Sequence, residues 1–173
     1  MTEQEKKTAK DTAMIGNAAE HYVMCQLLRR NLIAALALKG VPEVDILVSD
    51  RRSNSLAEIQ VKGRRFSKDG SWTMNAKHER DDFVRPRLFY CFVDFGKSDD
   101  EEPKCWVIPS KVVADILKRS HQAWLDTPGK GGRPHVDWPM RRITASYTFD
   151  PALGPDWMHK YRNAWEQIST GVS

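Results

Sequence analysis

Two short segments constrain this chain more than anything else in it: residues 44–49 (VDILVS) and 56–62 (LAEIQVK), joined by the polar run DRRSNS. Side chains on a strand alternate between faces, so each segment can be split into an inner and an outer set. In the first, Val44, Ile46 and Val48 share one face and Asp45 lies on the other with Leu47. In the second, Ala57, Ile59 and Val61 face one way, and Glu58, Gln60 and Lys62 the other. The connector is turn-like and short enough to join an antiparallel pair. A strand inside a covered sheet does not readily place Glu, Gln and Lys on one side. That face is therefore either solvated or part of a site.

The rest of the chain supplies layers for such a pair to pack against. Residues 13–30 read as a helix, with Ile15, Ala18, Tyr22, Cys25 and Leu28 at helical spacing and a second apolar face of Gly16, Val23, Met24 and Leu27. A helix apolar on two faces is expected between layers. Glu20 falls in the middle of the second face, where a carboxylate needs compensation. A bound cation would provide it, and so would a salt bridge to Arg or Lys. Residues 31–40 read as a first strand, with 88–95 (LFYCFVDF) and 105–108 (CWVI) as two more around an acidic turn. The strand at 88–95 is apolar on both faces and so belongs at the centre.

Ser110 is the expected N-cap of a helix over 111–125, with Val112, Val113, Ile116 and Leu117 as its buried stripe. Residues 126–142 read as a long irregular loop, and 155–169 as a last helix carrying Trp157, Tyr161, Trp165 and Ile168 on one face. The order of elements implies an α/β sandwich around a mixed sheet. The expected organisation is a flexible tail over 1–12 and a single domain over 13–173.

A chain of 173 residues can bury one full core, and nothing in it reads as a linker. No apolar run approaches the roughly 20 residues of a membrane helix, and no secretory signal opens the chain. Cys25, Cys91 and Cys105 are widely spaced among apolar neighbours, which implies reduced, buried thiols and a cytoplasmic setting. The net charge of +4 and pI of about 9.0 fit a polyanionic partner without requiring one. There is no phosphate-binding G-x-x-x-x-G-K-[ST], no H-E-x-x-H and no G-x-S-x-G, and the five histidines lack ligand spacing.

The ordered set GNAAEHYVM, VDILVS and EIQVKGR, spanning residues 16–64, resembles the PD-(D/E)XK nuclease superfamily, which includes many restriction enzymes and Holliday-junction resolvases. The resemblance implies a restriction-endonuclease-like α/β/α sandwich with a central mixed β-sheet. It also implies a site assembled from Glu20, Asp45, Gln60 and Lys62, with Mg²⁺ or Mn²⁺ as cofactor and DNA as substrate. Asp45, Glu20 and the Gln60 oxygen would hold the ion, and Lys62 would place the attacking water. The tripeptide begins with Gln60 rather than a carboxylate, like the Q-x-K form of Mrr-type restriction endonucleases. An amide brings no charge, so metal affinity should fall. Glu58, two residues earlier on the same face, is a candidate to replace that charge. The proline that usually precedes the aspartate is displaced to Pro42.

A nuclease is the activity implied, and the amide at position 60 keeps open a catalytically inactive module that binds nucleic acid or a protein partner. Nucleases of this kind often act as dimers, because two strands need two sites, which makes a homodimer an expectation. The stretch 62–87 holds eight Lys and Arg against four Asp and Glu, so Arg64, Arg65, Lys68 and Lys77 are candidates to track a phosphate backbone. Lys130 and Arg133 form a second candidate group. Trp72 either packs on the core or stacks on a base. His78 is a candidate neighbour of the site outside the recognised motif.

Overall fold

The computed structural model describes residues 3–38, 40, 43–52, 54–65, 70–145, 153–154 and 156–170. Helix α1 (Glu3–Leu28) is followed by strands β1 (Ile33–Leu36), β2 (Ile46–Ser49) and β3 (Ser55–Arg64). Then come β4 (Ser71–Asn75), two 3₁₀ turns (Ala76–Glu79 and Asp81–Phe83), β5 (Leu88–Asp94) and β6 (Lys104–Pro109). Helix α2 (Ser110–Asp126), strand β7 (Met140–Thr144) and helix α3 (Glu166–Thr170) complete the order.

The main sheet has five strands in the order β1-β2-β3-β5-β6. Only β3 and β5 run parallel; the other pairs are antiparallel, so the sheet is mixed. The β2–β3 pairing expected from the sequence is present, with Ile46 opposite Ile59 and Leu47 opposite Glu58. Two cores lie on opposite faces. Ala19, Val23 and Leu27 of α1 pack on Ile46, Val48, Ala57, Ile59, Val61, Phe89, Cys91 and Val93. On the other face Leu88, Tyr90 and Phe92 meet Val113, Ile116 and Leu117 of α2, together with Trp72, Met74 and Ile143. Alternating residues of β5 thus feed both cores, and the strand is buried from Leu88 to Val93. This is the α/β sandwich with a mixed central sheet that the sequence predicts.

Gly63 sets how closely α1 approaches. A Cβ there would lie 2.6 Å from the Ala19 Cβ and 2.8 Å from the Ile15 carbonyl oxygen, so only glycine lets the helix sit this near the strand.

Several expectations need correction. The helix begins at Glu3, so residues 3–12, expected as a tail, continue it. Its buried stripe is Ala19, Val23 and Leu27, while Ala18, Cys25 and Leu28 are exposed. The helix covers one side of the sheet instead of lying between layers, and of the three thiols expected to be buried only Cys91 and Cys105 are. Ser110 is the first residue of α2 rather than its cap. Its hydroxyl accepts from the Arg85 N–H at 3.0 Å and donates to the Arg85 carbonyl at 2.8 Å.

Residues 126–142 are not a plain loop. They lead into β7, which pairs with β4 to form a separate two-stranded sheet that the sequence reading missed. The last helix is broken. A 3₁₀ turn at His159–Tyr161 precedes α3, and between them Arg162 bridges Trp106 while Asn163 takes φ 53°. Tyr161 packs in the α2-side core and Trp165 with Ile168 in the α1-side core, so this segment wraps the outer edge of β6. One continuous helix could not reach both faces.

Candidate active site

Asp45 stands just before β2, where its backbone already follows sheet pairing: its N–H donates to the Ile59 carbonyl at 2.8 Å, and its own carbonyl accepts from Ala37 at 2.8 Å. Its side chain turns toward β3. Oδ2 accepts from the Val61 N–H at 2.6 Å and from the Gln60 amide Nε2. Burial raises the Asp45 pKa above the ordinary carboxylate value, against the pull of the Val61 N–H, the Lys62 charge and the Gln60 amide.

Gln60 and Lys62 lie on the same face of β3, as alternation requires. Gln60 is buried, at 7% exposure. Burial lowers the Lys62 pKa, and the nearby charge of Lys77 lowers it further, while Asp45 and Glu20 pull it back up. Glu20, half-buried on α1, therefore reaches the cluster electrostatically through Lys62. The close approach of α1 at Gly63, the residue after Lys62, is what brings that helix carboxylate near.

The site extends beyond the recognised residues. Gln60 is in parallel register with Tyr90 on β5, and the Tyr90 hydroxyl shares a 2.8 Å hydrogen bond with His78 Nδ1. His78 is 5% exposed, with its ring edge-on to Phe83 and Tyr90. Burial lowers its pKa to about 4, helped by the positive charges of Lys62 and Lys77, so it is neutral near pH 7. Burial raises that of Tyr90, so the phenol keeps its proton. The 3₁₀ turn carrying Lys77 and His78 is anchored by Glu79, which pairs with the buried Arg141 of β7. His78 stood out as a candidate in the sequence. Tyr90 did not, because an all-apolar strand gives no sign that one hydroxyl has a buried partner.

Other candidates are placed elsewhere. Glu58 shares the strand face but forms an ion pair with Arg85 at 3.0 Å, which already compensates its charge. Arg64 is also engaged, contrary to a free phosphate-binding role. Its Nη2 donates to Asp94 Oδ2 at 2.7 Å, and its guanidinium lies 3.6 Å from the Trp72 ring centroid. Trp72 is buried in the core and cannot stack on a base. Arg65 pairs with Asp99 at an exposed surface, and Lys77 lies 3.7 Å from Glu43. The exposed Arg65–Asp99 pair is worth little and yields readily to a competing anion. Lys130 and Arg133 are both exposed. Lys68 lies outside the described residues. Among the described residues no three His, Cys, Asp or Glu side chains gather closely enough to hold an ion by themselves, and no helix is long and apolar enough to cross a membrane.

No family model matches the chain, and no curated protein matches it. Among solved structures it is similar to a bacterial homing endonuclease, I-Ssp6803I, with a TM-score of 0.52 and 14% identity over 92% of each chain. At that identity the likeness speaks for the fold alone. The chain has a nuclease-like α/β fold, and the cluster around Asp45, Gln60 and Lys62 lies within it.

Proposed function

We propose that this protein is a metal-dependent nuclease that hydrolyses phosphodiester bonds in DNA, with a PD-(D/E)XK site in its Q-x-K form. The observation that carries the reading is the meeting of Asp45, Gln60 and Lys62 in one desolvated cluster, with the Glu20 charge reaching Lys62 from α1. The shared fold with a homing endonuclease supports it from a separate direction.

The donor set suits a hard cation such as Mg²⁺, or Mn²⁺, that keeps part of its water shell. Both described hydrogen bonds to Asp45 fall on Oδ2, leaving Oδ1 as a donor. Gln60 can turn its carboxamide to offer Oε1, and Glu20 adds a second carboxylate. When bound, such an ion supplies Lewis acidity toward a phosphate oxygen. Asp45 does its part ionised, locked in place by the Val61 N–H. Lys62 positions the attacking water through Nζ, and its lowered pKa makes a proton at that atom easier to exchange. The same ammonium offsets negative charge growing on the phosphate. His78, neutral at working pH, adds no competing positive charge.

In this reading the exposed basic side chains Lys77, Arg65, Lys130 and Arg133 contact the DNA backbone. Cutting both strands calls for a second site, which a homodimer would provide. One observation favours a second reading, a module that binds DNA without cutting. Gln60 spends its amide on Asp45, and among the described residues Asp45 and Glu20 are the carboxylates that act on Lys62.

Supercoiled plasmid incubated with the protein in Mg²⁺, Mn²⁺ or EDTA decides between them. Metal-dependent nicking, reduced at least about 100-fold in Asp45→Ala and in Lys62→Ala, is the expected result. Plasmid bound yet left intact in every metal would establish the non-cutting module instead.

A further inference from the structure

Residues 136–140 display three large apolar side chains to solvent: Val136, Trp138 and Met140 are 76%, 66% and 51% exposed. An exposed Trp between other exposed apolar residues is unfavourable in water unless something covers it. The display is also firmly held. The Asp137 carboxylate meets the His121 ring at 2.8 Å, the Trp138 carbonyl accepts from Arg141 Nη1, and the Pro139 carbonyl accepts from the Ala76 N–H at 2.8 Å. Arg141 is itself buried against Glu79. Beneath the loop, Trp124 stacks on His135 with ring centroids 3.9 Å apart. An aromatic group fixed by its backbone loses little freedom on binding.

Position and charge indicate what covers it. Met140 pairs with Asn75, and Pro139 is bonded to Ala76, so Trp138 sits beside the 3₁₀ turn that carries Lys77, whose charge reaches Lys62. The apolar patch therefore flanks the turn that carries Lys77 and His78. Residues 128–142 contain four Lys and Arg and a single acid, Asp137, whose carboxylate is bonded to His121 and Arg141. A projecting aromatic on a segment that also exposes Lys130 and Arg133 matches a nucleic acid, whose bases stack on aromatic faces while its phosphates are neutralised.

We infer that Trp138 is a base-contacting residue, stacking on or wedging between bases of the DNA presented to Asp45 and Lys62, with Lys130 and Arg133 on flanking phosphates. The substrate class rests on the nuclease reading, but the contact is tested separately. The full chain is titrated in EDTA into a fluorescein-labelled mixed-sequence duplex of about 30 base pairs and into the matching single strand. Trp138→Ala should weaken binding about tenfold with its salt dependence unchanged, and Trp138→Phe should stay within about threefold of wild type. Arg133→Ala should instead lower the salt slope by about one. DNA-dependent quenching of tryptophan emission should largely disappear in Trp138→Phe. Trp138 is exposed, so these variants are expected to fold, and circular dichroism checks that they do.

Wild-type affinity and quenching in Trp138→Ala would overturn the inference. So would sedimentation showing that wild type is a dimer which Trp138→Ala splits, because the patch would then be a protein contact. Plasmid cutting by the wild type in Mg²⁺ is scored alongside. Cutting with an indifferent Trp138 defeats this inference alone, whereas Trp138-dependent binding without cutting defeats the nuclease reading alone.

Discussion

Lowering the pH from about 7 to about 4.5 charges histidines in the unfolded chain but not His78 in the folded one, and the consequence for stability can be worked out. Its ring is 5% exposed, and burial together with Lys62 and Lys77 places its folded pKa at about 4 against an ordinary 6.5. Between those values the unfolded state binds the extra proton, so stability rises with pH across the window and is lost as pH falls through it. At about 1.4 kcal/mol per pH unit, the whole gap corresponds to about 3 kcal/mol, most of it already lost near pH 4.5. Domains of this size are stable by roughly 5–15 kcal/mol, so the loss is large.

The assay is urea unfolding, followed by tryptophan fluorescence at several pH values, for wild type and His78→Gln. Glutamine cannot titrate, so the steep decline below about pH 6.5 should flatten in the variant, whatever its absolute stability. Asp45 acts in the opposite sense, since its raised pKa makes the folded state the better proton binder just above the ordinary carboxylate range. That contribution is common to both proteins and cancels in the comparison. Parallel pH profiles for the two proteins, or an imidazole resonance of His78 titrating between 6 and 7, would refute the argument.

Two further perturbations probe how the site is held. Gly63→Ala puts a methyl group against the Ala19 Cβ and the Ile15 carbonyl, neither of which can swing aside. It should cost about 2 kcal/mol in chemical denaturation, and the retreat of α1 should carry Glu20 away from Lys62, which on the proposed nuclease reading reduces cutting. An unchanged unfolding midpoint would show that the helix moves freely. Glu79→Ala leaves the Arg141 guanidinium buried without its closest counter-charge. A loss of about 3 kcal/mol, read as a lower melting temperature, is expected, with Glu79→Gln milder because it keeps a hydrogen bond. Equal melting of the two variants would show that Asp137 and the Trp138 carbonyl satisfy Arg141 by themselves.

The pair Asp45 and Lys62 was legible in the sequence because strand alternation is a local rule: once residues 44–49 and 56–62 are strands in one hairpin, the faces follow. Glu20 was legible as an anomaly of helical spacing, although the buried stripe proved to be Ala19, Val23 and Leu27. What escaped was non-local. Nothing in SWTMN or MRRIT announces that β4 and β7 pair across more than sixty intervening residues, since each is too short for periodicity to speak. The fate of Arg64 was equally hidden, because Asp94 and Trp72 become its partners only when β3 and β5 lie side by side. The regular spacing of Trp157, Tyr161, Trp165 and Ile168 misled, because apolar residues can bury in two cores as well as along one helix. Local pattern fixes which way a side chain points, and tertiary contact decides what it meets.

The amide at position 60 is best understood through the charges around it. Asp45 and Lys62 are both desolvated, and each offsets the other, so the cluster they form can persist in the folded chain without an ion. A carboxylate at position 60 would sit within hydrogen-bond reach of Asp45, and two anions that close cannot both ionise cheaply. One would take up a proton or require a cation at all times. Gln60 removes that conflict by donating to Asp45 where a second carboxylate would repel it. The same exchange weakens the attraction for a divalent ion, because an amide oxygen carries no formal charge. If the site holds a divalent ion as proposed, folding without metal and tight metal binding make opposing demands on this one side chain, and glutamine satisfies the first at the expense of the second.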